Sequence, residues 1–260
     1  MISKVLRAGV AACALSVCAS AASAITLEVS VTNNAEADGL FLTPFVSLFH
    51  DGTFDTFDTG ERAKSALEAV AEEGDASGVL GLANQPGSGV LASGVVLNAA
   101  GFGGAPVIDP GETATARFTI NPTGDVFFSY LSMVIPSNDI FVGNSDPDVF
   151  KLFDAGSYLG DVSFDVTRAY DAGTEANDGE GAAFSNGRPS TDTSENIAFL
   201  PTLDFLIGLP RAAGGAVGSV PSAGGAFASI SIAAVPIPAA LPMMGFALAG
   251  LGFMRRRASA

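Results

Sequence analysis

The sequence predicts an all-β fold, an antiparallel β-sandwich carrying one inserted helix. Three observations lead there. Short apolar or alternating runs recur along the chain. Clusters rich in glycine, proline, aspartate and asparagine separate them, with 31 Gly and 14 Pro in 260 residues. Only one segment has clear helical spacing, so no alternation of strand and helix suggests a parallel sheet. No internal repeat of fixed period is present.

The elements follow in order. Ile25–Asn33 (ITLEVSVTN) alternates apolar and polar residues, the period of a half-buried strand. Leu40–Phe49 (LFLTPFVSLF) is a second apolar run, in which Pro44 points to an edge or a bulge. Glu61–Glu73 (ERAKSALEAVAEE) is the helix: it is built of good helix formers, its apolar residues recur at helical spacing, and Gly74 can end it. Residues 75–104 are rich in Gly, Ala and Leu and read as a loop with a short helical turn. Asp109-Pro110-Gly111-Glu112 is turn chemistry before a strand at Thr113–Asn121. A turn at Asn121–Asp125 leads into Val126–Ile135 (VFFSYLSMVI), the most apolar strand of the middle. Short strands are expected at Val149–Phe153, Asp161–Ala169 and Ile197–Leu200, and a last one, well alternated, at Ala226–Ala233. Between these, residues 172–186, 190–196 and 208–225 are polar or glycine-rich.

The two ends read as addresses. Met1–Ala24 has Lys4 and Arg7, an apolar stretch and the small-residue site Ala22-Ser23-Ala24, the order of a secretory signal peptide. Val235–Ala260 joins the Pro-punctuated Val235-Pro236-Ile237-Pro238-Ala239 to an apolar run and Arg255–Arg257. Crossing a bilayer core takes roughly 20 apolar residues. Leu241–Met254 is too short for this, and a span starting at Ile237 is marginal, a short transmembrane helix with its arginines on the cytoplasmic side. An ordinary weak anchor is one reading of this tail. The domains are then a signal peptide at 1–24, a sandwich domain at 25–234 and a sorting tail at 235–260.

The charge sharpens once the ends are set aside. They hold Lys4, Arg7 and Arg255–Arg257, which leaves seven of the twelve basic residues against all 27 acidic ones, a net charge of −20. Nucleic acid is excluded as a partner, because its binding rests on Lys and Arg neutralising phosphates. Both cysteines, Cys13 and Cys18, lie in the leader, so the exported domain has no disulfide, thiol nucleophile or thiolate metal site. The one histidine, His50, leaves little for acid–base catalysis at neutral pH. His50 and Asp51 are adjacent and would face opposite sides of a strand. No G-x-S-x-G accompanies them, and a structural histidine is the expectation. No catalytic residue is assigned.

Three loop segments carry chemistry: His50–Asp58 with three aspartates, Pro136–Asn144, and Asp171–Gly179. Aspartates and asparagines in such loops also serve as turn formers, and a cation site is the other reading, since Ca²⁺ takes 6–8 oxygen ligands from irregular loops.

Two of these segments bear a resemblance. Ser132–Gly143 (SMVIPSNDIFVG) resembles the SM-x-x-PSPDWF-x-G segment of spondin N-terminal domains, and Tyr170–Gly179 (YDAGTEANDG) resembles their W/Y-DAGTDSG loop, in the same order and about 30 residues apart. The resemblance spans about Ile25–Ala233. It implies an eight-stranded antiparallel β-sandwich, C2-like, with a calcium site in loops at one end. Asp139 then matches the aspartate of PSPDW and Asp171 the first aspartate of DAGTDSG. Glu175 or Asp178 fills the place of the second; Asp178 is favoured because Gly179 repeats the family's acid-then-small ending. Ile140 stands where the family has tryptophan. The tail is similar to the VPLPA variant of PEP-CTERM sorting signals, with Ile237 in place of leucine, which implies processing by an exosortase-type membrane protease in a Gram-negative bacterium.

The function expected is therefore that of an exported, non-enzymatic module at the cell surface or in the extracellular matrix. It would be transiently membrane-anchored through its tail and would bind Ca²⁺ at its loops, with adhesion or assembly with matrix or polysaccharide components as its role. Two alternatives stay open: a secreted hydrolase acting on extracellular polysaccharide through Asp51, Asp55 and Asp58 as paired carboxylates, and a purely structural matrix protein without a specific metal site.

Overall fold

The computed structural model describes residues 24–98, 101, 103, 105–211 and 213–236. Nearly all of the expected signal peptide and, from Ile237 on, the expected sorting tail with its short helix lie outside them. Among the described residues no helix is long and apolar enough to cross a membrane.

The chain runs β1 (Ile25–Asn33), β2 (Phe41–Leu42), β3 (Phe45–His50), α1 (Ser65–Glu73), α2 (Ser77–Ala83), β4 (Val90–Val96), β5 (Thr113–Ile120) and β6 (Val126–Ile135). It continues through β7 (Ile140–Gly143), β8 (Lys151–Asp154), β9 (Ser157–Tyr158), β10 (Val162–Val166), β11 (Ala169–Asp171), α3 (Ala183–Asn186), β12 (Ala198–Leu200), a 3₁₀ turn at Asp204–Leu206, and β13 (Ala228–Ala234). These strands form two antiparallel sheets, the sandwich-like arrangement expected. One has the order β10-β13-β1-β5. The other has β12-β11-β7-β6-β3-β4, with β2 and β8 also on β6 and β9 on β8. Among the described residues there are thirteen strands, where the resemblance implied eight; β2, β9, β11 and β12 are pairings of only two or three residues.

The alternation of β1 does what its period requires. Leu27, Val29 and Val31 are buried against the facing sheet, while Glu28, Ser30 and Thr32 point outward, in register with Arg117, Thr115 and Thr113 of β5. The facing sheet contributes Phe45, Phe49, Phe128, Tyr130 and Val134 to the same core. Its other side is covered as well. Leu67, Val70 and Ala71 of α1 and Val79 and Ala83 of α2 pack on Val46, Leu48, Leu131 and Phe141. Strands buried on both faces cannot alternate apolar and polar residues, which is why β3 and β6 read as continuous apolar runs.

Four departures from the sequence reading have physical causes. The helix begins at Ser65 rather than at Glu61, because Gly60 N–H bonds Ile197 O and Ile197 N–H bonds Glu61 O, holding residues 60–61 against the chain before β12. Its end is as expected: Gly74 at φ 68° returns its N–H to Val70 O. Residues 75–104, expected as a loop with a short helical turn, contain that turn as α2 and also the strand β4, which was not expected. The β4 sequence VLASGVV is weak in side chains, and the Phe118 ring lies over Gly94, where an added Cβ would meet it at 3.1 Å. The single strand expected at Asp161–Ala169 is two: β10 belongs to one sheet, β11 to the other, and the chain changes sheets at Thr167–Arg168. Finally, Ile140–Gly143, taken as loop, is the central strand β7, with Ile140, which stands where the resembling motif has tryptophan, fully buried.

Candidate metal site

The chain turns sharply after β6, where Ile135–Pro136 is a cis peptide. Ser137 organises this turn: its hydroxyl donates to Val134 O, and Ile140 N–H donates to Ser137 Oγ at 3.1 Å. Asn138 and Asp139 are thereby carried into the interior, 2 % and 0 % exposed. β7 then pairs with β11 so that Ile140 faces Asp171, and Ala172 N–H bonds Asp139 O at 3.1 Å. Two aspartates far apart in sequence thus become neighbours through strand register.

The loop that follows β11 wraps the Asp139 carboxylate. Its Oδ2 accepts from Thr174 N–H at 2.8 Å, Glu175 N–H at 3.0 Å and the Thr174 hydroxyl at 3.3 Å. Oδ1, buried, has no hydrogen-bond partner among the described residues. Gly173, at φ 72°, makes the wrap possible: a Cβ there would meet the Glu195 backbone at 2.8 Å. The loop is tied down by Glu195 N–H to Gly173 O and Thr193 N–H to Thr174 O. Asp171 accepts from Gly173 N–H and from the Asn177 amide, both at 2.7 Å.

The electrostatics follow from crowding carboxylates under partial burial. Burial raises the Asp139 carboxyl above its ordinary range, opposed by the N–H donors of Glu175 and Thr174. Asp171 is pushed up to about 6, by burial first and then by the Asp139 charge. Glu175 is raised by burial, with Ser190 opposing and Asp139 and Asp192 adding. The Asn138 amide also opposes this shift, although its Nδ2 makes no hydrogen bond of normal geometry. A fourth carboxylate comes from α1. Glu72 is raised to about 7, by burial first and then by Glu175, Glu68 and Asp139, with Thr174 opposing.

The structure therefore brings Asp139, Asp171 and Glu175 into one electrostatic neighbourhood. Asp178, the favoured third position, is placed elsewhere: it is exposed, and its Oδ1 caps its own turn by accepting from Glu180 N–H at 2.9 Å. Glu72 had no signal in the loop motifs. It lies one helical turn after Glu68 on the same face of α1, and only the packing of α1 on the sheet reveals its role. Among the described residues no three His, Cys, Asp or Glu side chains are gathered as a ready ligand set. The carboxylates meet through their charges, and Asp139 Oδ1 is the one side-chain oxygen among them that is buried without a hydrogen-bond partner.

The histidine segment is built differently. His50 is fully buried; Gly52 N–H donates to Nδ1 at 3.1 Å, which assigns the proton to Nε2, 2.9 Å from Ser129 Oγ. Burial lowers its pKa, with Asp51 and Asp148 opposing. Asp51 accepts from Thr53 N–H and hydroxyl, and Asp55 from Phe57 N–H, each closing its own turn.

A family model described as Spondin_N matches residues 40–203, which include both loop motifs and Glu72. None of the curated proteins compared with the chain matches it. The match covers more than half of the chain, and the chain belongs to the Spondin_N family.

Proposed function

We propose that this Spondin_N-family chain is an exported, non-enzymatic module that binds Ca²⁺ weakly at Asp139, Asp171 and Glu175, with Glu72 closing the site from α1. The bound ion would stiffen the 171–177 loop as a surface for adhesion or matrix assembly. The leader at 1–24 and the tail at 235–260, processed by an exosortase-type protease, would deliver it to the outside of the cell. Membership of a family typical of extracellular proteins agrees with that setting. One observation carries the metal reading: a fully buried carboxylate leaves Oδ1 unpaired, and around it Asp171 and Glu72 are raised by burial first and by neighbouring carboxylate charge, Asp139 included, after it. An unpaired buried oxygen is costly, and a cation would relieve both that cost and the mutual repulsion. Glu175 is preferred over Asp178 as the third carboxylate because its own N–H already bonds Asp139.

Calorimetric titration of the purified protein with CaCl₂ tests this. The expected Kd is on the order of 10⁻⁴ to 10⁻³ M, as in other extracellular modules. At calcium some thirtyfold above Kd the fold should gain about 2 kcal/mol. Asp139→Asn should abolish both effects. Absence of saturable heat up to millimolar calcium, with an unchanged melting temperature, would refute the site and leave Asp139 as a clamp for the loop alone.

A further inference from the structure

A second site lies at the other end of the β7–β11 pair. Where the chain crosses from β10 to β11, a cleft of about 350 Å³ opens between Tyr130 and Tyr170 on one side and the segments 145–150 and 165–168 on the other. Its polar groups are incompletely used. Asp146 and Asp165 each commit Oδ1 to the protein, accepting from Asp148 N–H at 2.9 Å and the Ser229 hydroxyl at 2.7 Å. Their Oδ2 atoms, and the Tyr130 hydroxyl, have no hydrogen-bond partner among the described residues. Arg168 lies over the Phe199 ring at 5.9 Å and makes no ion pair among the described residues, in a domain with seven cations against 27 anions. Beside these groups stands an apolar wall. Phe150, stacked on Phe164 at 3.7 Å and 15°, forms it, and Val149 is 52 % exposed at its edge.

The set of groups selects the ligand. A phosphate or carboxylate would meet two aspartates, a simple cation would offer no acceptor to Arg168 or Tyr130, and a hydrocarbon would strand four polar groups at a cost for each. A neutral polyhydroxylated ring satisfies all of them. Its C–H face lies on Phe150, its hydroxyls donate to Asp146 and Asp165, and its oxygens accept from Arg168 and Tyr130. The volume sits in the range of small-ligand sites, about 300–1,000 Å³, and the stacked phenylalanines hold the wall rigid before binding. We propose that this cleft binds a neutral saccharide unit, as found along a hexose polymer. This deepens the matrix-association reading above and is independent of its calcium site.

The test is calorimetric titration of the purified protein with neutral tetrasaccharides (β-1,4-glucose, β-1,4-mannose, α-1,4-glucose) and with a tetra-uronate, each in EDTA and in calcium. Saturable binding of a neutral tetrasaccharide is expected in both conditions. Arg168→Ala and Asp165→Asn should each weaken it about tenfold or more, with unchanged melting temperatures because both side chains are exposed. No saturable binding by any neutral member, binding confined to the uronate, or wild-type affinity in both variants would overturn the proposal. Saccharide binding in EDTA without any calcium heat would sink the metal reading and leave the cleft standing. Calcium heat without saccharide binding would do the reverse.

Discussion

Glu72→Gln tests the acidic neighbourhood without disturbing its hydrogen-bonded loop. Glu72 sits partly exposed on the last turn of α1, and glutamine has nearly the same helix propensity and shape. In the folded protein its carboxyl titrates at about 7, against an ordinary 4.5. A carboxyl raised on folding favours the fold below the unfolded value and loses that contribution as pH rises through the folded value. At pH 8 the wild-type fold therefore carries a penalty that glutamine never incurs. The full difference corresponds to roughly 3 kcal/mol, and screening at a partly exposed side chain reduces it to about 1–2 kcal/mol. In a domain of this size that is about 3–6 °C in melting temperature. Thermal melts in EDTA at pH 4 and pH 8 are the assay: the variant should match wild type at pH 4 and exceed it at pH 8. Equal stabilities at both pH values, or a variant less stable at pH 8, would show that neither burial nor the neighbouring carboxylates raise Glu72, and would remove α1 from the site.

Two further outcomes concern the scaffold. His50→Ala should lose about 2–4 kcal/mol at pH 8, through lost packing, the unpaired Gly52 N–H and a Ser129 hydroxyl left with only its Asn144 partner. The loss should shrink at pH 5, because a histidine whose folded pKa is lowered costs stability once the unfolded ring protonates below about 6.5; urea melts at the two pH values measure both. Gly173→Ala places a Cβ 2.8 Å from the Glu195 backbone at φ 72°, so it should destabilise by about 1–3 kcal/mol and weaken calcium binding. Wild-type calorimetry and melting in that variant would contradict the wrapped-loop account.

Much of this protein was legible in the sequence. Alternation in ITLEVSVTN, the Gly74 stop and the turn chemistry at Asp109–Glu112 specify local conformation through side-chain period and backbone preference, and these elements stand as expected. Asp139 and Asp171 were found because each sits in a motif. What local sequence cannot carry is which strand ends meet. β4 was hidden because its stability comes from pairing with β3 and from Phe118 lying over Gly94, both long-range. The letters of the loop favoured Asp178 over Glu175; the preference is reversed by where the 171–177 backbone goes when the Thr174 and Glu175 N–H groups bond Asp139. Glu72 comes within reach of the Glu175 and Asp139 charges because α1 packs on the outer face of the sheet, and the cleft beside Tyr130 and Tyr170 exists because the chain changes sheets at Thr167–Arg168. The sequence by itself determined an acidic β-sandwich domain and pointed to Asp139 and Asp171 as its candidate ligands. The tertiary structure alone decided their partners, since hydrogen bonds and charge coupling act over a few ångströms in space whatever the separation along the chain.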